Sequence, residues 1–284
     1  MQGKAEVQGS ARAMAQRNDG YGNFPIDSAG SEDEHPTLFP GSGVYSLELM
    51  AKSSQYIIDV GALIDEVESL SPKALLLFRG QDCNDPLLPK IARPRPTRDT
   101  TELERTMLKE LKRRTARHSD LLGNDDWDAL VVAQHFGMST RLLDWTTNPF
   151  IALWFAALDQ RVATDGYVYM LPITDDLILD RDSETDPFAT GRTRVFKPSI
   201  NNDRLAAQAG WFTAHRYSQS SRRFVDLHKN KELKRKVLMK GVKGSDKSKF
   251  LCALDRVGIN QESMFPGLEG TCRYVDWRFR KYES

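Results

Sequence analysis

Between positions 134 and 148 the chain reads QHFGMSTRLLDWTTN and then continues into the apolar run PFIALWFAA, so polar side chains crowd a setting that offers little water. Gln134, His135, Thr140, Arg141, Asp144, Thr146 and Asn148 are each costly there without a partner, which can be protein or ligand. A second cluster stands at the end of the apolar run LLLF, where Arg79, Gly80 and Gln81 follow at once. An arginine at the mouth of a buried strand cannot easily snorkel, so it should hold a carboxylate or a phosphate. Gly80 allows a close backbone approach or a positive φ. The plain structural alternative pairs Arg79 with Asp144 or Glu104, and lets Asp144 and Asn148 merely satisfy local backbone.

Other chemistries lack their residues. There is no G-x-S-x-G elbow, P-loop, dinucleotide G-x-G-x-x-G or H-E-x-x-H. The five histidines are scattered with no metal-type pair at helical spacing, and no metal site is expected. His135 alone adjoins the polar run. Cys83 lies two residues past Gln81, and a nucleophilic role for it would need a histidine base in reach.

These side chains need elements to hold them. DDWDALVVAQHF is a helix capped by Asp125 or Asp126 and stopped at Gly137. RLLDW is a short strand; Thr146, Thr147 or Asn148 caps the next helix, with Pro149 in its first turn and Phe150–Leu158 apolar all round. A strand feeding a capped helix start is a common anion-binding geometry. Upstream, a Ser-capped helix carries Tyr56, Ile57, Val60, Ile64 and Val67 at helical spacing, and Leu75–Phe78 is a strand buried on both faces. An irregular Pro- and Arg-rich loop follows, then a helix opened by a Thr101/Glu104 capping box with Leu103, Met107 and Leu111 inward. Gly166–Leu171 and Trp211–Thr213 are strands, the second preceded by a short helix from Asp203 and by Gln208. VLMKGV is a strand, and Ser245 caps a helix with Phe250, Leu251, Leu254 and Val257 inward.

The formal charge of +1 over 284 residues gives no argument for nucleic acid or an anionic membrane. Three cysteines without metal-type spacing suggest free thiols in a reducing compartment. With no bilayer-length apolar run and no secretory signal, the expected location is cytoplasmic, without membrane contact. Residues 1–40, poor in large apolar groups, are expected to be a mobile tail; 41–284 are expected to form a single domain.

Phe78–Gln81, Leu87–Pro89 with Arg93, and Glu104 recur in the pattern of the FRG domain, named for its Phe-Arg-Gly tripeptide. The chain resembles that family from Ser54 to Asp276. QHFGMSTRLLDWTTNPFIALWFA looks like its second block, and RLAAQAGWF and GINQESMFPGLEG like its third and fourth. It departs at Phe136, where the family often has a second histidine, and at Ser139, where proline is frequent.

FRG at a strand end is in turn similar to the first motif of arginine-type ADP-ribosyltransferases, in which the arginine contacts the NAD phosphates. That likeness implies an α+β fold, a mixed central sheet flanked by helices. It implies NAD as substrate and Arg79, Gly80, Gln81, Thr140, Arg141, Thr146 and Asn148 as binding residues, with Ser139, Thr140 or Thr146 in the role of those enzymes' second-motif Ser. It implies a protein or nucleic-acid acceptor and a toxin or anti-phage role. The carboxylate of the third motif has no clear counterpart: the RLAAQAGWF block offers Gln208, leaving Glu262, Glu184 or Asp144. A glutamine can orient a ribose hydroxyl but cannot stabilise positive charge as a carboxylate does. The competing expectation is a non-catalytic sensor module that binds a nucleotide or a protein.

Overall fold

Strand β1 (Leu76–Gln81) alternates its side chains between two cores, and the rest of the sheet is laid out around it. Leu76 and Phe78 pack with Ile151, Val168 and Met170 in one core; Leu77 packs with Tyr169, Leu171 and Leu143 in the other. A computed structural model describes residues 55–280 apart from 71–74, 124, 160–163, 200–202, 232 and 234–236. The tail expected over 1–40 and the cap expected near Ser54 lie outside the described residues.

β1 pairs along its whole length with β3 (Gly166–Pro172), from Leu76 opposite Pro172 to Gln81 opposite Tyr167. With β2 (Leu142–Thr146), β4 (Arg194–Phe196), β5 (Gly210–Ala214) and β8 (Leu238–Val242) they form a six-stranded sheet ordered β4-β5-β2-β1-β3-β8. β6 (Tyr217–Ser218) and β7 (Arg223–Phe224) make a separate two-stranded ribbon. The fold is α+β as expected. Among the described residues every ladder is antiparallel, and parallel pairing occurs at two isolated bridges, Tyr56–Gly241 and Ile178–Val195.

Helix α4 (Pro149–Ala157) lies directly on β1 and β3, and two glycines explain how. A Cβ added to Gly80 would fall 1.8 Å from the Ala152 carbonyl oxygen, and one added to Gly166 would fall 2.0 Å from that of Ala156. Gly80 is therefore spent on close helix–strand contact and not on a positive φ. Ile151, Ala152, Leu153, Trp154, Ala156 and Ala157 are all buried, in keeping with a helix apolar on every side. Asn148 Oδ1 accepts from Phe150 N at 2.9 Å, and Pro149 has no N–H to offer. Pro149 and the capped Phe150 thus leave the helix start few free donors for the anion site expected there.

α2 (Thr101–Arg114) and α3 (Asp126–His135) pack near the β2–β5–β4 end of the sheet, around Trp127, Leu130, Leu142, Phe196 and Phe212. α3 is capped by Asp125, which accepts from Asp128 N at 2.8 Å, and is followed by Gly137 at φ 96°. α2 occupies the expected span but presents a different face. Leu103 is exposed, while Glu104 and Leu108 are buried. No capping box forms, because the Glu104 carboxylate is drawn inward to Arg141.

Two further elements differ. α1 (Val60–Leu70) starts later than the periodicity implies: Asp59 accepts from Ala62 N, while Tyr56 bridges to Gly241 on β8. Ser245 sits in a single 3-10 turn before α6 (Lys247–Arg256) and makes no cap there; Asp246 occupies the N-cap position, and Val257 points to solvent. The short helix α5 (Asp203–Ala207) leads into β5, and α7 (Gln261–Met264) and α8 (Leu268–Arg280) close the described chain. No helix among the described residues is long and apolar enough to cross a membrane.

Candidate functional site

β1 and β2 are neighbours but share a single paired position, Phe78 with Thr146. Past that pair they part, and the guanidinium of Arg79 spans the gap in place of further ladder bonds. Arg79 Nη1 donates to the Asp144 carbonyl at 2.9 Å and lies 3.8 Å from its carboxylate; Nε donates to Gln81 Oε1 at 3.1 Å. Gln81 is fixed in turn through Nε2 to Asp85 O at 2.9 Å. Nη2 of Arg79 has no partner among the described residues. Burial lowers the Arg79 pKa from its ordinary value, against the pull of Asp144.

The parting of the strands opens a cavity of about 220 Å³. Phe78, Ile151, Ala152 and Phe155 give its apolar wall; Arg79, Asp144, Thr146, Arg204 and Gln208 give its polar rim. A second hollow of about 140 Å³ adjoins it, sharing Asp144, Arg204 and Gln208 and adding Gln134 and His135. Arg79, Asp144 and Gln208 therefore line one cleft, although they come from three separate elements of the chain.

Asp144 is poised rather than locked. Its side chain is 63 % exposed, and Oδ1 accepts from Gln134 Nε2 at 2.8 Å. Gln134 also accepts from the Thr140 hydroxyl, so Thr140, which is fully buried, orients the amide that orients the carboxylate. Gln208 Nε2 donates to Met264 O at 3.0 Å, which leaves its side-chain oxygen to the cleft. His135 is held below the usual imidazole pKa by burial and by Arg204, so it is neutral near pH 7.

Arg204 is the residue that sequence reasoning did not single out. Its guanidinium carbon stacks 4.5 Å from the centre of the Phe265 ring. It makes no ion pair and donates no hydrogen bond among the described residues. Burial lowers its pKa too, with Asp144 and Glu269 acting in the opposite sense. Two arginines with unused donors thus meet at one cleft, an arrangement suited to an anion. The signal in the sequence was slight: a lone arginine in the RLAAQAGWF block, four residues before Gln208.

Several expected residues stand elsewhere. Arg141 is 1 % exposed and does not line the cleft. Its backbone N and its Nε donate to the two oxygens of Glu104 at 2.6 and 2.8 Å, Nη1 donates to Pro187 O, and the guanidinium stacks on Phe188. It is sealed in the core, so a binding role for it fails. Asn148 is occupied as a helix cap, and Thr146, which does line the cleft, accepts from Asn148 N. Glu262 is exposed and accepts from Thr271; Glu184 pairs with Arg194; neither reaches the cleft. Burial and hydrogen bonds that the thiol donates to the Asp85 and Asp82 carboxylates push Cys83 up to about 11, which removes it as a nucleophile at neutral pH. Among the described residues no three His, Cys, Asp or Glu side chains converge as metal ligands.

No curated protein and no solved structure matches the chain. Residues 74–165, which supply Arg79, Asp144 and Thr146 to the cleft but leave Arg204 and Gln208 outside, match the family model of the FRG domain, so the chain carries an FRG domain over that stretch.

Proposed function

We propose that the cleft binds a nucleotide-type anion and that the protein consumes NAD, as a glycohydrolase or an ADP-ribosyltransferase. The observation that carries this reading is the meeting of Arg79 and Arg204, each with unused donors, beside the exposed Asp144 carboxylate and the Gln208 amide in one cleft. Phosphate oxygens take the guanidinium donors; the apolar wall of Phe78, Ile151 and Phe155 takes a ring. When the bond between ribose and nicotinamide breaks, the electron pair leaves with nicotinamide and positive charge grows on the ribose. A fixed carboxylate stabilises that charge, and Asp144 is the one on the cleft rim. Gln208 Oε1 accepts from a ribose hydroxyl. Water completes the hydrolase, giving ADP-ribose, nicotinamide and a proton; a protein or nucleic-acid nucleophile completes the transferase. NAD consumption would suit a toxin or anti-phage role, and the three free cysteines fit a reducing cytoplasm.

The test is nicotinamide release from NAD by the purified chain, with binding followed by calorimetry. Wild type should bind and turn over, and Arg79→Ala should lose both while remaining folded. Failure of the wild type to bind NAD and to release nicotinamide would end this reading. One observation favours a sensor module instead: both Asp144 oxygens already face partners, Gln134 and Arg79, and the neutral Gln208 stands where the similar enzymes carry a glutamate. Tight nucleotide binding without turnover selects that reading.

A further inference from the structure

The C-terminal helix α8 is apolar on two opposite sides. Inward, Trp277 packs on the core, and Gly270 lets the Phe265 carbonyl approach to where a Cβ would stand. Outward, Leu268, Cys272, Val275 and Phe279 are all exposed, Leu268 by 79 % and Phe279 by 68 %. At about 100° per residue these four fall within roughly 60° of one another, a single seam of the kind that helices bury against helices. Exposed apolar seams of this order mark association surfaces.

The charges beside the seam say what covers it. One flank carries Glu269, Arg273, Asp276 and Arg280, alternating in sign along the axis. Read backwards, this row is its own complement. In an antiparallel pair of α8 helices with the axis level with residue 274, the second copy's Arg280 comes within about one residue's rise of Glu269 and its Asp276 of Arg273, while Leu268 packs beside Phe279 and Cys272 beside Val275 with the same offset. A parallel pair would set this row against Thr271 and Arg278 and would lose the match. Within one chain the same charges make only exposed pairs, Arg273 with Glu269 at 2.6 Å and Arg280 with Asp276 at 2.8 Å, and such pairs contribute little.

We infer that α8 is a self-association surface and that a second copy of this chain docks on it antiparallel, about a two-fold axis near residues 273–276. The helix is about 20 Å long. A pair of that length falls short of the roughly 1,200–2,000 Å² buried in standard interfaces, so the dimer is weak, with dissociation in the micromolar range. The inference is independent of the cleft and of its ligand.

Sedimentation of the full chain over a concentration series tests it. Wild type should pass from monomer to dimer as concentration rises, and Val275→Lys should stay monomeric with an unchanged melting temperature. Arg273→Glu and Asp276→Arg should each weaken the dimer at least tenfold. The double variant R273E/D276R should restore it to within about twofold, because it repairs the contacts between copies while leaving both pairs within each helix repulsive. A bis-maleimide should join two copies through Cys272 in a C83S/C252S background. A chain that stays monomeric at every concentration overturns the inference. So does a dimer indifferent to Val275→Lys, or a double variant no tighter than its single parents.

Discussion

Arg141 meets Glu104 where water cannot follow, whereas Arg79 meets Asp144 at the lip of a cleft. The first pair is 1 % and 0 % exposed at its side chains, the second 14 % and 63 %. Arg141 gives Nε to Glu104 and Nη1 to Pro187 O, and its Nη2, though without a partner, is sealed from any ligand; burial still pushes the Glu104 pKa up, against the pull of Arg141. Arg79 is braced by Gln81 and a backbone carbonyl and keeps Nη2 in hand. The contrast teaches that one side-chain chemistry serves architecture or ligand according to where the sheet closes. β2 is fully laddered to β5 from Leu142 on, but it leaves β1 after one pair, and of these two arginines Arg79 is the one at that opening.

The comparison is sharpest if the two pairs are broken separately. Glu104→Ala strands Arg141 in the core and should cost about 3–5 kcal/mol in denaturant unfolding; a loss below 1 kcal/mol would erase the distinction between the two pairs. Gly80→Ala forces a methyl into the backbone of α4 and should cost about 1–3 kcal/mol, which a shift of the urea midpoint at constant slope would report. Arg79→Ala removes charge-assisted bonds at a site open to water and should cost about 1–2 kcal/mol, while nucleotide affinity falls at least tenfold in calorimetry. A variant that unfolds outright would instead make Arg79 a second Arg141.

His215 lies under the influence of both arginines. It is buried, hydrogen bonds to the Thr213 hydroxyl at 3.1 Å, and is pushed down to about 3 by burial and then by Arg79 and Arg141. Its folded pKa is therefore well below the unfolded value near 6.5. The unfolded chain binds the extra proton in that interval, so the stability contributed by a neutral His215 is complete above about pH 6.5 and is lost as pH falls toward 3. Melting temperature followed from pH 7 to pH 4 should decline less steeply in His215→Gln than in wild type. The smallest expected effect on stability is that of Asp144→Asn, within about 0.5 kcal/mol for so exposed a side chain. The same variant should abolish nicotinamide release with nucleotide binding kept; undiminished release would remove Asp144 from the chemistry.

Local grammar was legible along much of the chain. A cap at Asp125 or Asp126 and another within Thr146–Asn148, Gly137 as a helix stop, β2 as a short strand and α4 as a buried, non-amphipathic helix all follow from signals that act within a few residues; the fold selects Asp125 and Asn148. Arg79, Asp144 and Gln208 were singled out as candidates, because motif blocks mark positions even when they cannot measure distances; that they line one cleft is seen only in the fold. The inward turn of Glu104 was hidden, since a Thr-x-x-Glu start reads as a capping box until a buried arginine competes for the carboxylate. Arg141 and Arg79 look alike as letters, each beside apolar residues, and nothing local tells which will be enclosed.

The order of the amino acids decided where most helices and strands lie, which strand runs through the core, and that Gly80 serves either a close backbone approach or a positive φ. Folding decided that it is the close approach and to which helix, which arginine stays open to solvent, and that Arg204, far along the chain from Arg79, arrives to complete the cleft. Caps and turns draw on bonds between residues close in sequence, so they are written there. Burial and the meeting of charges depend on how distant segments pack, and no short stretch of chain carries that information.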